Sequence, residues 1–97
     1  MKTTYTVAPD RQQAFLTAMA GVRLSRLRTG AAQWGLFLDG ETSDQFVELF
    51  VVPSWEEHMR QHGERQTGAD WAYEDRANAL SDPPPQTSHL IAAEVPR

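Results

Sequence analysis

Two groups of side chains in this sequence are able to do chemistry, and both fall between positions 46 and 62. The first is a carboxylate: Glu48 stands between Phe46 and Phe50, its neighbours two positions away on either side. In an extended strand those three share one face. A carboxylate on an apolar face must find a partner or take up a proton. The structural outcome is a satisfied buried Glu, held by an arginine or by Trp34 of the neighbouring strand. The functional outcome is an acid/base group or ligand anchor in a pocket. The second group is His58 and His62, four positions apart on a stretch that reads as helix. That spacing puts both imidazoles on one face, where they can bind zinc or simply border solvent. Zinc needs further ligands. The run His58-Met59-Arg60-Gln61-His62 lacks the Glu of the H-E-x-x-H pattern, and Arg60 disfavours a dication. The expectation is no metal site. Trp34, Phe50, Trp55, His58 and Trp71, with Tyr73, supply the aromatic and polar surface from which a ligand cavity could be lined, although aromatics in a small domain are mostly core.

These groups are positioned by a strand that runs into a capped helix. Phe46 to Val52 is almost entirely β-branched or aromatic around one charge, and Pro53 cannot donate to a ladder and closes it. Ser54 and Glu57 form a capping-box pattern that opens a helix toward His62. Upstream, Lys2 to Val7 alternates as a first strand. Ala8-Pro9-Asp10 opens a helix to about Arg28, with Phe15, Met19 and Val22 on one apolar stripe and Gly30 as its left-handed stop. Ala31 to Asp39 is the second strand. After Gly63 a further helix starts near Thr67, carrying Ala69, Ala72, Tyr73, Ala77 and Leu80 on one face. Ser81-Asp82-Pro83-Pro84-Pro85 is a stiff connector, and His89 to Val95 is the last strand. The order β-α-β-β-α-β is ferredoxin-like. It predicts an α+β domain over residues 1–97, with a four-stranded antiparallel sheet and helices on one face.

The second and third strands are apolar on both sides: in the third, Phe46, Phe50 and Val52 point one way and Val47, Leu49 and Val51 the other. Helices can cover one face of such a sheet. A second copy of the chain is the simplest cover for the other, so a homodimer is expected. The 97 residues hold 13 acids against 9 Lys and Arg and no cysteine. That excludes disulfides and thiolate metal sites and argues against nucleic-acid binding. No apolar run approaches the length that spans a bilayer, and Met1 to Tyr5 is not a signal-peptide start. A cytoplasmic domain without membrane insertion is expected.

The run Arg26-Leu27-Arg28-Thr29-Gly30-Ala31-Ala32-Gln33-Trp34-Gly35-Leu36-Phe37, then Glu48, then Ser54-Trp55-Glu56-Glu57-His58-Met59-Arg60-Gln61-His62, and finally Ser88-His89-Leu90-Ile91 carry a resemblance. From Tyr5 to Ala93 the chain resembles the soluble domain at the C-terminus of bacterial major facilitator transporters of the enterobactin-exporter type. That domain in turn resembles the dimeric α+β barrel superfamily, which includes antibiotic-biosynthesis monooxygenases. There a strand Glu, an aromatic two residues on and a helix His border the cavity between sheet and helices. Glu48, Phe50 and His62 match that pattern, so the resemblance makes Glu48 and His62 the candidate catalytic pair. It implies a small-molecule-binding or regulatory homodimer without a cofactor. Its alternatives are a cofactor-independent monooxygenase acting on an aromatic or polyketide-like substrate, with His62 as proton shuttle, and a structural dimerisation module.

Overall fold

The structure, a computed structural model, describes residues 1–52, 54, 56, 59, 67–91, 93, 95 and 96. Its elements are β1 (Lys2–Thr6), a 3-10 turn (Pro9–Arg11), α1 (Gln12–Arg28), β2 (Gln33–Leu38), β3 (Gln45–Val51), α2 (Gly68–Ala79) and β4 (Gln86–Ser88). The strands form one antiparallel sheet in the order β2-β3-β1-β4. This is the ferredoxin-like α+β arrangement, as expected. Among the described residues no helix is long and apolar enough to cross a membrane.

The register shows why β3 is central. Phe46, Glu48 and Phe50 pair with Leu38, Leu36 and Trp34 of β2, and Phe46 and Glu48 also pair with Tyr5 and Thr3 of β1. Directly paired residues of an antiparallel ladder share a face, so these side chains all look toward the helices. There Tyr5, Phe15 and Phe46 pack as tilted rings in sequence, with centroids 5.0 and 5.1 Å apart. Val7, Ala18, Met19, Val22 and Ala77 complete the core around them. The opposite face carries Phe37, Val47, Leu49 and Val51 toward β2, and Lys2, Thr4, Gln86 and Ser88 toward β4. Its apolar half is open: Phe37 is 55% and Val51 53% exposed.

The two helices meet at a glycine. A Cβ on Gly21 would lie 2.2 Å from the Tyr73 ring, so the bare backbone of α1 is what lets α2 approach this closely. α1 ends at Thr29, whose amide bonds to the Ser25 carbonyl at 3.0 Å. Gly30 follows with φ 127°, in the left-handed region that glycine occupies without penalty.

Two expectations fail in detail. The face Ala69, Ala72, Tyr73, Ala77 and Leu80 of α2 is not its buried face. Asp70 and Ala77 are buried, Glu74 and Leu80 are half-buried, and Ala69, Ala72 and Tyr73 are exposed. The inward side therefore runs Asp70, Glu74, Ala77. Its two carboxylates are matched by Arg28 and Arg26 of α1, and a pattern search for apolar residues passes over them. The last strand is also displaced. β4 is Gln86–Ser88 and pairs with Lys2 to Thr4, while His89 to Ile91 are not in a strand. The cause is the connector, which is pinned to the far end of β1. The Thr6 amide donates to Ser81 Oγ at 3.0 Å and the Asp82 amide to the Thr6 carbonyl at 2.8 Å. Counting from that anchor, Gln86 to Ser88 fall opposite Thr4 to Lys2, and the later residues lie beyond the paired end. Glu56 and Met59 are helical, where a helix is expected.

Candidate functional site

Glu48 is fully buried on β3, and three donors converge on it. The Tyr5 hydroxyl from β1 donates to Oε1 at 3.1 Å. Arg26 Nε from α1 and Trp34 Nε1 from β2 donate to Oε2 at 3.0 and 2.9 Å. One residue each from β1, β2 and α1 thus meets the central strand, so the cluster ties the sheet to its helix. Arg26 extends the chain of contacts. Its guanidinium lies 4.7 Å above the centre of the Phe50 ring, a favourable cation–π placement, and its Nη1 pairs with Glu74 of α2.

The electrostatics follow from this packing. Burial alone opposes a charged Arg26, but Glu48 and Glu74 more than offset it, and its pKa is raised. Tyr5 is pushed upward by burial first and then by the charge of Glu48, so its phenol is kept protonated. Protonated, it can serve Glu48 only as a donor. A second knot lies one turn along the interhelical seam. Asp70 accepts from the Thr67 amide at 2.6 Å, its own amide donates to Thr67 Oγ1 at 3.4 Å, and Arg28 Nη2 reaches the same carboxylate. Burial works against the ionised form of Asp70, yet the Thr67 contacts and Arg28 hold its pKa below the usual value.

Beside the Glu48 cluster, between β1, β4 and the two helices, opens a cleft of about 220 Å³. Thr3, Tyr5, Arg26, Glu74, Asn78 and Thr87 are among its lining residues. Its wall is therefore polar, with the Thr3 and Thr87 hydroxyls 3.1 Å apart.

Of the residues singled out from the sequence, the structure brings together Glu48, Trp34 and Phe50, the last through Arg26. Trp71 stands exposed on α2 and is not among the residues lining the cleft. Trp55, His58 and His62 lie outside the described residues. The arginine or Trp34 expected to hold Glu48 are both found to do so. Tyr5, Arg26 and Glu74 went unnoticed as site residues. Tyr5 read as an ordinary alternating strand residue. Arg26 read as a cation favoured at a helix C-terminus, although its position four after Val22 and seven after Met19 places it on the inward stripe.

The comparisons with known proteins agree on architecture. An antibiotic biosynthesis monooxygenase of known structure superposes with a TM-score of 0.77 at 15% identity, covering 96% of each chain. A candidate antibiotic biosynthesis monooxygenase from Caulobacter crescentus CB15 gives a TM-score of 0.80 at 16% identity, over 96% of this chain and 87% of that one. One from Bordetella bronchiseptica gives 0.76 at 19% identity, over 96% and 94%. At these identities the likeness is one of fold. No curated protein matches the sequence. One family model does match it, over residues 1–97, and it is described as Transmembrane secretion effector. The chain belongs to the transmembrane secretion effector family.

Proposed function

We propose that this chain is a homodimeric binding module with a regulatory role in its secretion family, and not an enzyme. The observation that supports it best is the state of Glu48. All three of its contacts are donors that hold it in place. A general base must reach the proton it abstracts, and Glu48 is instead spent on fixing Arg26, Tyr5 and Trp34. Two of the residues it fixes, Tyr5 and Arg26, line a polar cleft, which suits recognition of a small ligand through preorganised donors. The dimer in this reading packs the open, partly apolar sheet faces together, covering Phe37, Leu49 and Val51.

The test is a thermal-shift screen of small polar and aromatic compounds on the wild type, followed by titration of the hits against Asn78→Ala and Thr87→Val. A ligand that raises the melting temperature, and loses affinity in those variants, supports the module. If no compound shifts the wild type, the binding claim fails and a structural dimerisation module remains. The fold likeness to antibiotic biosynthesis monooxygenases favours a second reading, a cofactor-independent oxygenase using Glu48 and His62. Oxygen uptake on hydroquinones or anthrones that disappears in His62→Ala would establish that reading in place of the first.

A further inference from the structure

We propose that the outward face of α1 docks on an anionic bilayer surface, a contact separate from both the cleft and the sheet face. The inward side of α1 is fully used: Phe15, Ala18, Met19, Val22, Ser25 and Arg26 are buried. On the opposite side, at spacings of four, four and three, stand Leu16, Ala20, Leu24 and Leu27. This row spans three turns along the centre of the face turned away from the core. Leu16 is 49%, Leu24 67% and Leu27 40% exposed. Single exposed leucines are ordinary, but a surface helix normally keeps its polar residues on this side. The proposed dimer does not cover the row, because it uses the far side of the sheet.

The charges say what the face suits. From Arg11 to Leu38 the chain holds four arginines and no Asp or Glu, although the whole chain has 13 acids and 9 bases. Arg26 is engaged internally by Glu48 and Glu74. Arg23 is exposed beside Leu24 and Leu27 on the row, whereas Arg28, half exposed at its border, is paired with Asp70. The outward row of α1 thus carries Arg23 and no carboxylate of its own on a chain that is acidic overall, and this is the helix face that a negative surface would attract. An arginine beside leucines can lay its stem along the apolar surface and keep its head at the level of lipid phosphates. Leucines with an arginine along one helix face, without carboxylates, suit an interfacial helix. The outward row belongs to a single helix and lies flat, which fits a planar surface.

Co-sedimentation of the full chain with vesicles tests this. Vesicles of phosphatidylcholine alone are compared with vesicles containing equal parts of phosphatidylglycerol, at low and high salt. The expected result is binding to the anionic vesicles about fivefold stronger than to the neutral ones, from the one surface-adjacent arginine, Arg23, and weakened by salt. Leu24→Gln/Leu27→Gln alters only exposed positions, so it should keep the circular dichroism and melting temperature of the wild type while losing most vesicle binding. Arg23→Glu should abolish the preference for anionic lipid. Equal pelleting with both vesicle types, no pelleting at low salt, or unchanged binding by both variants overturns the proposal. So does a higher oligomer or a complex with an acidic protein that is lost in Leu24→Gln/Leu27→Gln while vesicles are ignored.

Discussion

Replacing Glu48 by Gln is a nearly isosteric change that removes one charge, and the structure sets its cost. The Gln oxygen can take the place of Oε2 and keep accepting from Arg26 Nε and Trp34 Nε1. Its amide then faces the Tyr5 oxygen, which can accept one hydrogen while the phenol proton turns away. What cannot be kept is the charge opposite Arg26. This guanidinium is buried with Glu48 and Glu74 as partners, so the variant leaves it with Glu74. Hydrogen bonds to charged groups contribute about 1.5–3 kcal/mol each, and breaking one side of a buried ion pair costs about 3–5 kcal/mol. Because Glu74 remains, the lower range applies, and a loss of about 2 kcal/mol is expected for Glu48→Gln. Glu48→Ala also strands Tyr5 and Trp34 and should lose about 3–5 kcal/mol. For a chain this size each kcal/mol moves the midpoint roughly 4–8 °C, so the Gln variant should melt roughly 8–16 °C lower.

Urea unfolding of the wild type, Glu48→Gln, Arg26→Leu and the double variant closes a cycle that isolates the pair. The expected coupling is about 1.5–3 kcal/mol, with unchanged denaturant slopes to show that the unfolded reference has not moved. Two results together would refute the reasoning: Glu48→Gln within about 0.5 kcal/mol of wild type, and a coupling of the same small size. The carboxylate would then not be the tie between sheet and helix, and its availability for proton transfer would have to be reconsidered.

Tyr5 keeps its proton where an unfolded chain releases it, so the stability it contributes is present below about pH 10 and is lost as pH rises beyond that; urea midpoints measured from pH 8 to 11 should fall more steeply in the wild type than in Tyr5→Phe. Asp70 behaves in the opposite sense. Its lowered pKa gives stability at neutral pH that disappears as pH falls below about 4, and Asp70→Asn should flatten that acid limb. Gly21→Ala puts a methyl into the Tyr73 ring and should cost about 1–3 kcal/mol, although alanine is the better helix former by about 1 kcal/mol; a stabilised variant would contradict the close approach of the helices. Sedimentation of the wild type at micromolar concentration should give twice the chain mass, and Val51→Asp should shift it to monomer, whereas a folded wild-type monomer would remove the sheet-face interface.

How much of this was legible in the sequence depended on whether a residue's role could be read from its neighbours along the chain. The strand Phe46 to Val52 was legible because alternation is local, and so was the partition of β2 into Trp34, Leu36 and Leu38 against Gly35 and Phe37. The need of Glu48 for a partner was legible for the same reason, since an acid between two phenylalanines conflicts with its own strand. The identity of the partners was only half legible. Trp34 follows from the pairing of β2 with β3, but Arg26 required knowing the angle at which α1 crosses the sheet, which no local pattern contains. The inward face of α2 was misread because its contents are Asp70 and Glu74. Two carboxylates look like a solvent face until two arginines are placed opposite, and those arginines lie 42 and 48 positions away in the chain. The displaced β4 has a similar cause: Ser81 is anchored to Thr6 across 75 positions, and this tether, not the apolar content of Leu90 and Ile91, decides which residues face β1. Each misreading thus arose where a polar residue contributes to packing through a distant partner. Those long-range pairs join α1, α2 and the sheet around Glu48 and the cleft, so disrupting them should impair stability and the candidate site together. The outward leucines of α1 lie outside that network, and for that reason their substitution separates surface docking from folding.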